Sequence, residues 1–410
     1  MDSVRRHCRD ILSLHRAGSF RRIISVGFGK AAVPMALALE EELGELLDDG
    51  VIITKYGHTS PRLPGRFRVF EAGHPTPDEN GVLGTGEILR LVSDSDENTL
   101  VIALISGGGS SLLVAPDAGI TLAAKRETTE ILLRVGAGIH ELNTVRKHLS
   151  RVKGGRLARF IHPGRTVSLI LSDVIGDNLD VIASGPTAPD TTSFGDAREV
   201  LRRFAPAAGI PPEVEAHLAA GARGAIPDTP GEGDPVFERV TNRIIGGNQA
   251  ALRAAREAAE KLGLDTETLA APLVGEAADA GRMLAGLARE SAARQRERPL
   301  CILSGGETTV TVRGRGKGGR SQELALSFAL EISGIPGITL LSAGTDGTDG
   351  PTDAAGAMVD GNTINAAIKA EALSSLAGND SYTFFSRHGG LFVTGPTGTN
   401  VMDIQIIIIR

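Results

Sequence analysis

The sequence predicts an α/β fold of two α/β domains with mainly parallel sheets, the first Rossmann-like. Three observations predict it. Apolar runs of roughly four to seven residues are continuous rather than alternating, as in strands buried on both faces. Glycine-rich turns follow these runs. Stretches with apolar spacing near 3.6 fill the intervals, as amphipathic helices require.

The elements follow in order. Ile23-Ile24-Ser25-Val26 runs into Gly27-Phe28-Gly29, and residues 31–43 carry a helical period. Val51-Ile52-Ile53-Thr54-Lys55 is the next strand. Leu100 to Ile105 runs into Ser106-Gly107-Gly108-Gly109-Ser110, with a helix expected at 124–136. Thr166 to Leu171 runs into Ser172-Asp173. Residues 226–235, rich in Pro, Gly and acid, read as a linker, so the expected domains are 1–235 and 236–410. Beyond it, Arg243-Ile244-Ile245 runs into Gly246-Gly247-Asn248, followed by helical periods at 249–262 and 279–293. Leu300 to Leu303 runs into Ser304-Gly305-Gly306, with a helix at 321–332. Ile338 to Leu341 runs into Ser342-Ala343-Gly344-Thr345-Asp346, and 403–410 closes the chain as a mostly buried strand.

Composition narrows the function classes. The 410 residues are 41% hydrophobic and 22% charged, the balance of a globular chain. No apolar run reaches the roughly 18 residues of a membrane helix, and the first residues lack the apolar core of a signal peptide. Cys8 and Cys301 lie far apart without metal-type spacing, which fits a reduced, cytoplasmic setting. A net charge of −6 and 3% aromatics argue against nucleic acid, anionic membranes and base-stacking platforms. The 52 glycines gather at strand ends, where ligands of parallel sheets bind.

Several of these turns carry chemistry. Gly27-Phe-Gly29-Lys30-Ala-Ala32 resembles a dinucleotide fingerprint, but the second strand ends in Lys55 where an acid is needed for the ribose. Lys30 opens a helix, where its charge opposes the macrodipole, so an anion-facing role is the better reading. Ser106, Gly107, Gly108, Gly109 and Ser110 suit an anion cradle, or else a tight packing turn. Between Leu142 and Ser172 lie Arg146, Lys147, Arg151, Lys153, Arg156, Arg159 and Arg165 without one acid, together with Asn143. That stretch reads as part of a nucleotide or phosphorylated-product site, or as a solvated face. The loop 313–323, with Arg320 in it, reads as mobile and basic. Asp346, Asp349 and Asp353 crowd one strand end, a spacing that suits Mg²⁺ or Asx turns. Asp173 and Asp177 follow another strand, and Asp173 suits a general base or a metal ligand. His74 lies on a stiff proline-flanked loop.

The motifs Gly73-His-Pro-Thr-Pro-Asp, Ser106-Gly-Gly-Gly-Ser, Asn143-Thr-Val-Arg-Lys-His-Leu-Ser, Lys153-Gly-Gly-Arg, Ser172-Asp-Val-Ile-Gly-Asp and Ile182-Ala-Ser-Gly-Pro-Thr resemble, in order, the amino-terminal domain of glycerate 2-kinases. Ser304-Gly-Gly-Glu, Gly318-Gly-Arg-Ser-Gln-Glu, Ser342-Ala-Gly-Thr-Asp and Thr397-Gly-Thr-Asn-Val-Met-Asp resemble the carboxy-terminal MOFRL domain. The resemblance implies ATP-dependent phosphorylation of D-glycerate at its 2-hydroxyl with Mg²⁺, in a cleft between the domains. It implies Lys30, Asp173 and Arg320 in catalytic roles. Ser321 stands where the family's motif carries Asn before the Gln-Glu pair, which leaves one local contact open. With that chemistry, Ser106 to Ser110, His74, Asn143, Arg146 and Lys153 are candidates for substrate or phosphate, and Asp346, Asp349 and Asp177 for metal. D-glycerate and ATP are then the partners, with a homodimer left open. The alternatives are a 3-phosphoglycerate-forming kinase, an NAD(P)H-dependent hydroxypyruvate reductase, and a non-catalytic sensing module.

Overall fold

The structure is a computed structural model describing all residues except Met1, Ser19, Ser60, Pro61, Leu63 and Ala205, Pro206, Ala207 and Ala208. The chain divides into two compact units, Met1–Ile245 and Gly246–Arg410. The division falls after the 235/236 boundary expected from the sequence. The acidic, proline-rich stretch 226–235 is packed on the first unit: Pro230 O accepts from Asp190 N, and Asp228 pairs with His148.

The first unit holds one six-stranded sheet. Its strands are β1 (Arg22–Phe28), β2 (Asp49–Lys55), β3 (Phe67–Ala72), β4 (Thr99–Ile105), β5 (Arg165–Leu171) and β6 (Val240–Gly246), in the order β3-β2-β1-β4-β5-β6. β1 pairs in parallel with β2 and β4, β2 with β3, and β4 with β5. This is the order of a dinucleotide-binding fold, as expected. The continuous apolar runs make sense here. Successive residues belong to opposite faces: Ile23, Ile52 and Leu104 pack under the helix Ala32–Leu43, while Val26, Ile53 and Ala103 pack on the other face with Ile88 and Leu157. Burying such a side chain contributes roughly 1.5–3 kcal/mol. A helical satellite core, with Leu132, Val145, Phe194 and Leu218, supports the segment carrying Asn143.

The second unit holds β7 (Asp265–Thr268), β8 (Leu300–Gly306), β9 (Ile338–Gly344), β10 (Gly356–Asp360), β11 (Leu391–Phe392) and β12 (Asp403–Ile409), in the order β11-β10-β9-β12-β8-β7. The α/β reading holds, but strand direction is mixed. β7 and β8 are parallel, whereas β12 lies antiparallel between β8 and β9. The closing strand enters from a loop, without the crossover helix that a parallel neighbour needs. One face of this sheet packs Leu300, Ile302, Leu340 and Ile407 against the helices Ala277–Ala292 and Arg320–Glu331. Among the described residues no helix is long and apolar enough to cross a membrane. Both cysteines are buried and unpaired.

Candidate active site

In the first sheet the strand order reverses between β1 and β4. Crevices beyond the carboxyl ends of strands at such a reversal are where ligands bind in open α/β sheets. The turns after β1 and β4 interlock there. Lys30 N donates to Gly107 O at 2.9 Å, Ala31 N to Ser106 Oγ at 3.0 Å, and Ser106 N to Phe28 O at 3.1 Å. Gly29 adopts φ +129, and a Cβ on it would collide with Ser106. Gly108 adopts φ +83, and a Cβ on it would stand 2.9 Å from His74 Cδ2 and 3.5 Å from Lys30 Cγ. Glycine at these positions lets protein atoms approach each other. Lys30 and His74 therefore flank Gly108, one from the turn after β1 and one from the loop after β3. Asp173, half-buried, begins the loop after β5 at the same sheet edge, and Asp177 follows in the left-handed region at φ 54.

The basic stretch after Leu142 is sorted by its partners. Lys147 pairs with Asp190 at 3.1 Å and Asp180 at 3.5 Å. Arg156 pairs with Asp117, Arg159 with Asp234, and Arg151 lies over the Phe160 ring. Arg146 and Lys153 have no carboxylate partner among the described residues. Lys153, 1% exposed, donates to Ser110 O at 2.7 Å, Ser110 Oγ at 3.2 Å and Ala183 O at 3.4 Å. Burial, and then the charges of Lys125 and Arg146, hold its amine well below the ordinary lysine range. Burial likewise lowers Arg146. Ser110 Oγ meets Ser184 Oγ at 2.8 Å, and Ser184 Oγ donates to Asn143 Oδ1 at 3.0 Å. Asn143 is 4% exposed, and its amide nitrogen has no partner. Ala183 and Ser184 both have positive φ (52 and 61), the kind of backbone strain that gathers at functional sites.

In the second unit, Arg320 begins the helix Arg320–Glu331. Its Nε donates to Asp403 Oδ2 at 2.6 Å and its second terminal nitrogen to Asp403 Oδ1 at 3.0 Å, while Glu307 takes another guanidinium N–H. Burial opposes its charge, but Asp403 and Glu307 together hold it above the usual arginine range. The three carboxylates crowding the β9 turn do not form one cluster. Asp349 caps the helix: it accepts from Ser321 N at 3.0 Å, Gln322 N at 2.8 Å and Gln322 Nε2 at 3.0 Å. Burial pushes its carboxyl up to about 6. Both oxygens accept hydrogen bonds from the helix end, a capping role that the sequence did not suggest. Asp346 Oδ1 accepts from Thr348 N and Oγ1 in an Asx turn, and Asp353 accepts from Tyr382 OH. Among the described residues no group of three or more His, Cys, Asp or Glu is arranged to hold a metal. Mg²⁺ often needs only one or two carboxylates beside the substrate's phosphates.

The loop 313–319 is docked rather than loose. Asn379 Oδ1 accepts from Arg313 N and Gly314 N, Asp380 Oδ1 accepts from Lys317 N, and Lys317 Nζ stands 4.1 Å over the Tyr382 ring. These partners lie more than sixty residues away in sequence (|i−j| 63–66), so the glycine spacing alone gave no sign of them.

Sequence reasoning missed three participants. Lys125, 5% exposed, donates to Arg146 O at 3.1 Å and Leu149 O at 2.8 Å, finishing the helix that bears Asn143 and Arg146. Its place on the apolar stripe of Leu122–Arg134, between Leu122 and Thr128, was the available signal. Ser184 was quoted in a motif without a role. Asp403, the first residue of the closing strand, was likewise quoted at the end of a motif without a role.

Known proteins resemble this chain over nearly its whole length. A family profile described as a domain of unknown function (DUF4147) matches residues 2–219, and the MOFRL family matches 300–403. The D-glycerate 2-kinase of Thermotoga maritima is 45% identical over 392 residues, 95% of this chain and 91% of that protein. The glycerate kinase of Mus musculus is 39% identical, over 94% of this chain and 84% of that protein. A putative hydroxypyruvate reductase of Agrobacterium vitis is 43% identical, over 95% of this chain and 99% of that protein. The crystal structure of Thermotoga maritima glycerate kinase superposes with a TM-score of 0.88 at 43% identity, covering 99% of this chain and 95% of that one. Matched over nearly its whole length at these identities, the chain belongs to the glycerate 2-kinase family.

Proposed function

We propose that this chain transfers the γ-phosphoryl group of ATP to the 2-hydroxyl of D-glycerate. The observation that carries the reading is the junction at the β1/β4 reversal, where Lys30 and His74 meet across Gly108. Phosphoryl transfer needs chiefly positioning and charge neutralisation. Lys30 is the first unit's candidate for stabilising negative charge on the transferred group, and Arg320 is the second unit's candidate for the same role. Asp173 receives the proton of the attacking hydroxyl. The Ser106 to Ser110 turn orients the anion. Asp346, or Asp177 in the first unit, would supply a carboxylate oxygen to a Mg²⁺ ion bound with ATP, which would neutralise phosphate charge. Both buried, unpaired cysteines suit a reducing cytoplasm.

³¹P NMR of the product from ATP, Mg²⁺ and D-glycerate tests the reading, with 2-phosphoglycerate expected. A 3-phosphoglycerate signal would overturn the regiochemistry, and no phosphorylated product would overturn the kinase.

A reductase reading is favoured by the Gly27 to Ala32 fingerprint in a sheet of dinucleotide-binding order. Against it, β2 ends on Lys55, so the ribose acid is missing from its usual place. Sustained NADH consumption with hydroxypyruvate would favour that alternative.

A further inference from the structure

Arg146 is a half-buried cation with no carboxylate partner among the described residues, and the buried amines of Lys153 and Lys125 lie behind it. Burying charge without a counter-charge is costly. A site built this way is completed by an anion from outside. The unused donors say which kind. Lys153 Nζ is committed to Ser110 O, Ser110 Oγ and Ala183 O. Asn143 Nδ2 is buried and without a partner. Arg146 follows Asn143 by three residues on the helix Ile139–His148, so the two side chains share a helix face. An amide N–H and a guanidinium fork match the two oxygens of a carboxylate.

We propose that Asn143 and Arg146, backed by Lys153, seat the carboxylate of a small 2-hydroxy acid. The proposal rests on the kinase reading only for the identity of that acid. Ser110 links the seat to the turn that meets Lys30. A carboxylate anchored there presents the hydroxyl on the adjoining carbon at the shortest reach, ahead of one a carbon further along. Lys125 is a positioning residue: its bonds to Arg146 O and Leu149 O fix the end of the helix that carries the seat.

The test titrates D-glycerate into the full chain by calorimetry, without ATP, with glycerol as the carboxylate-free control. Steady-state kinetics then follow on Arg146→Gln and Asn143→Asp, with melting temperatures confirming folding. D-glycerate should bind and glycerol should not. Each variant should weaken D-glycerate binding and raise its KM about 10–100-fold, leaving the KM for ATP within about twofold. A rise in the KM for ATP alone would assign the residues to the nucleotide and overturn the seat. So would unchanged D-glycerate binding in both folded variants. Binding lost in the variants of a chain that does not phosphorylate D-glycerate would uphold the seat and overturn the kinase reading, so the two failures stay distinct.

Discussion

In the first unit, Lys153 sits among hydroxyls and carbonyls, and neither it nor Arg146 has a carboxylate partner among the described residues. In the second unit, Arg320 is gripped by Asp403 on two sides and by Glu307 on a third. Both regions are basic in sequence, yet they solve the cost of a buried charge differently. Arg320 is neutralised by the fold, so its guanidinium has a fixed geometry before anything binds. Arg146 has no such counter-charge in the fold, so a bound anion improves it. A cation already paired is a rigid tool, and an unpaired one is a receptor.

Four experiments break or sharpen that contrast, in order of expected effect. Asp173→Asn should lower kcat with ATP and D-glycerate by about 10²–10⁴ while the melting temperature holds; a coupled assay showing almost no loss would remove Asp173 from proton transfer. Lys30→Ala should lower kcat/KM by about 10²–10³. If it stayed within a few-fold of wild type, the β1/β4 junction would not be where phosphoryl charge is stabilised.

Asp403→Asn sharpens the second-unit side. It leaves a partly exposed Arg320 with Glu307 alone, and urea unfolding should show a loss of about 1–3 kcal/mol. A neutral result would mean that Arg320 is not held by the fold.

The smallest effect concerns Asp349. Removing the cap with Asp349→Ala should cost about 0.5–2 kcal/mol, with no change in the Mg²⁺ concentration giving half-maximal activity. Its pH signature has a definite sign. Burial lifts the folded-state carboxyl from 3.8 to about 6, so the folded protein holds that proton more tightly than the unfolded chain. Its contribution is complete below pH 3.8 and is lost as pH rises through about 6. Melting temperatures of Asp349→Asn should lack that part of the decline between these values.

Much of the fold could be read from residue patterns. The continuous runs ending in Phe28, Ile105 and Leu171 lie on β1, β4 and β5, and the expected helices fall within a few residues of their observed ends. The edge strand β3 and the helix Ile139–His148 were not anticipated. β3 is half-buried, and the helix is short and dense in charge, so neither shows a clean apolar period. Among site residues, the motif turns at Lys30 and Ser106 were visible because glycine and strand ends mark them. The roles of Asp349 and Asp403 were not, because a helix cap and an ion pair are made by partners 27 to 83 residues away.

The sequence by itself determined the strands, the glycine turns and the inventory of charged groups. Apolar period, turn chemistry and side-chain type are local properties of a chain. Only the tertiary structure decided which of those charges are spent. Long-range packing put carboxylates beside Lys147, Arg156 and Arg320, and carbonyls and hydroxyls beside Lys153. The value of a charge depends on its neighbours and its access to water, and both are set by the fold.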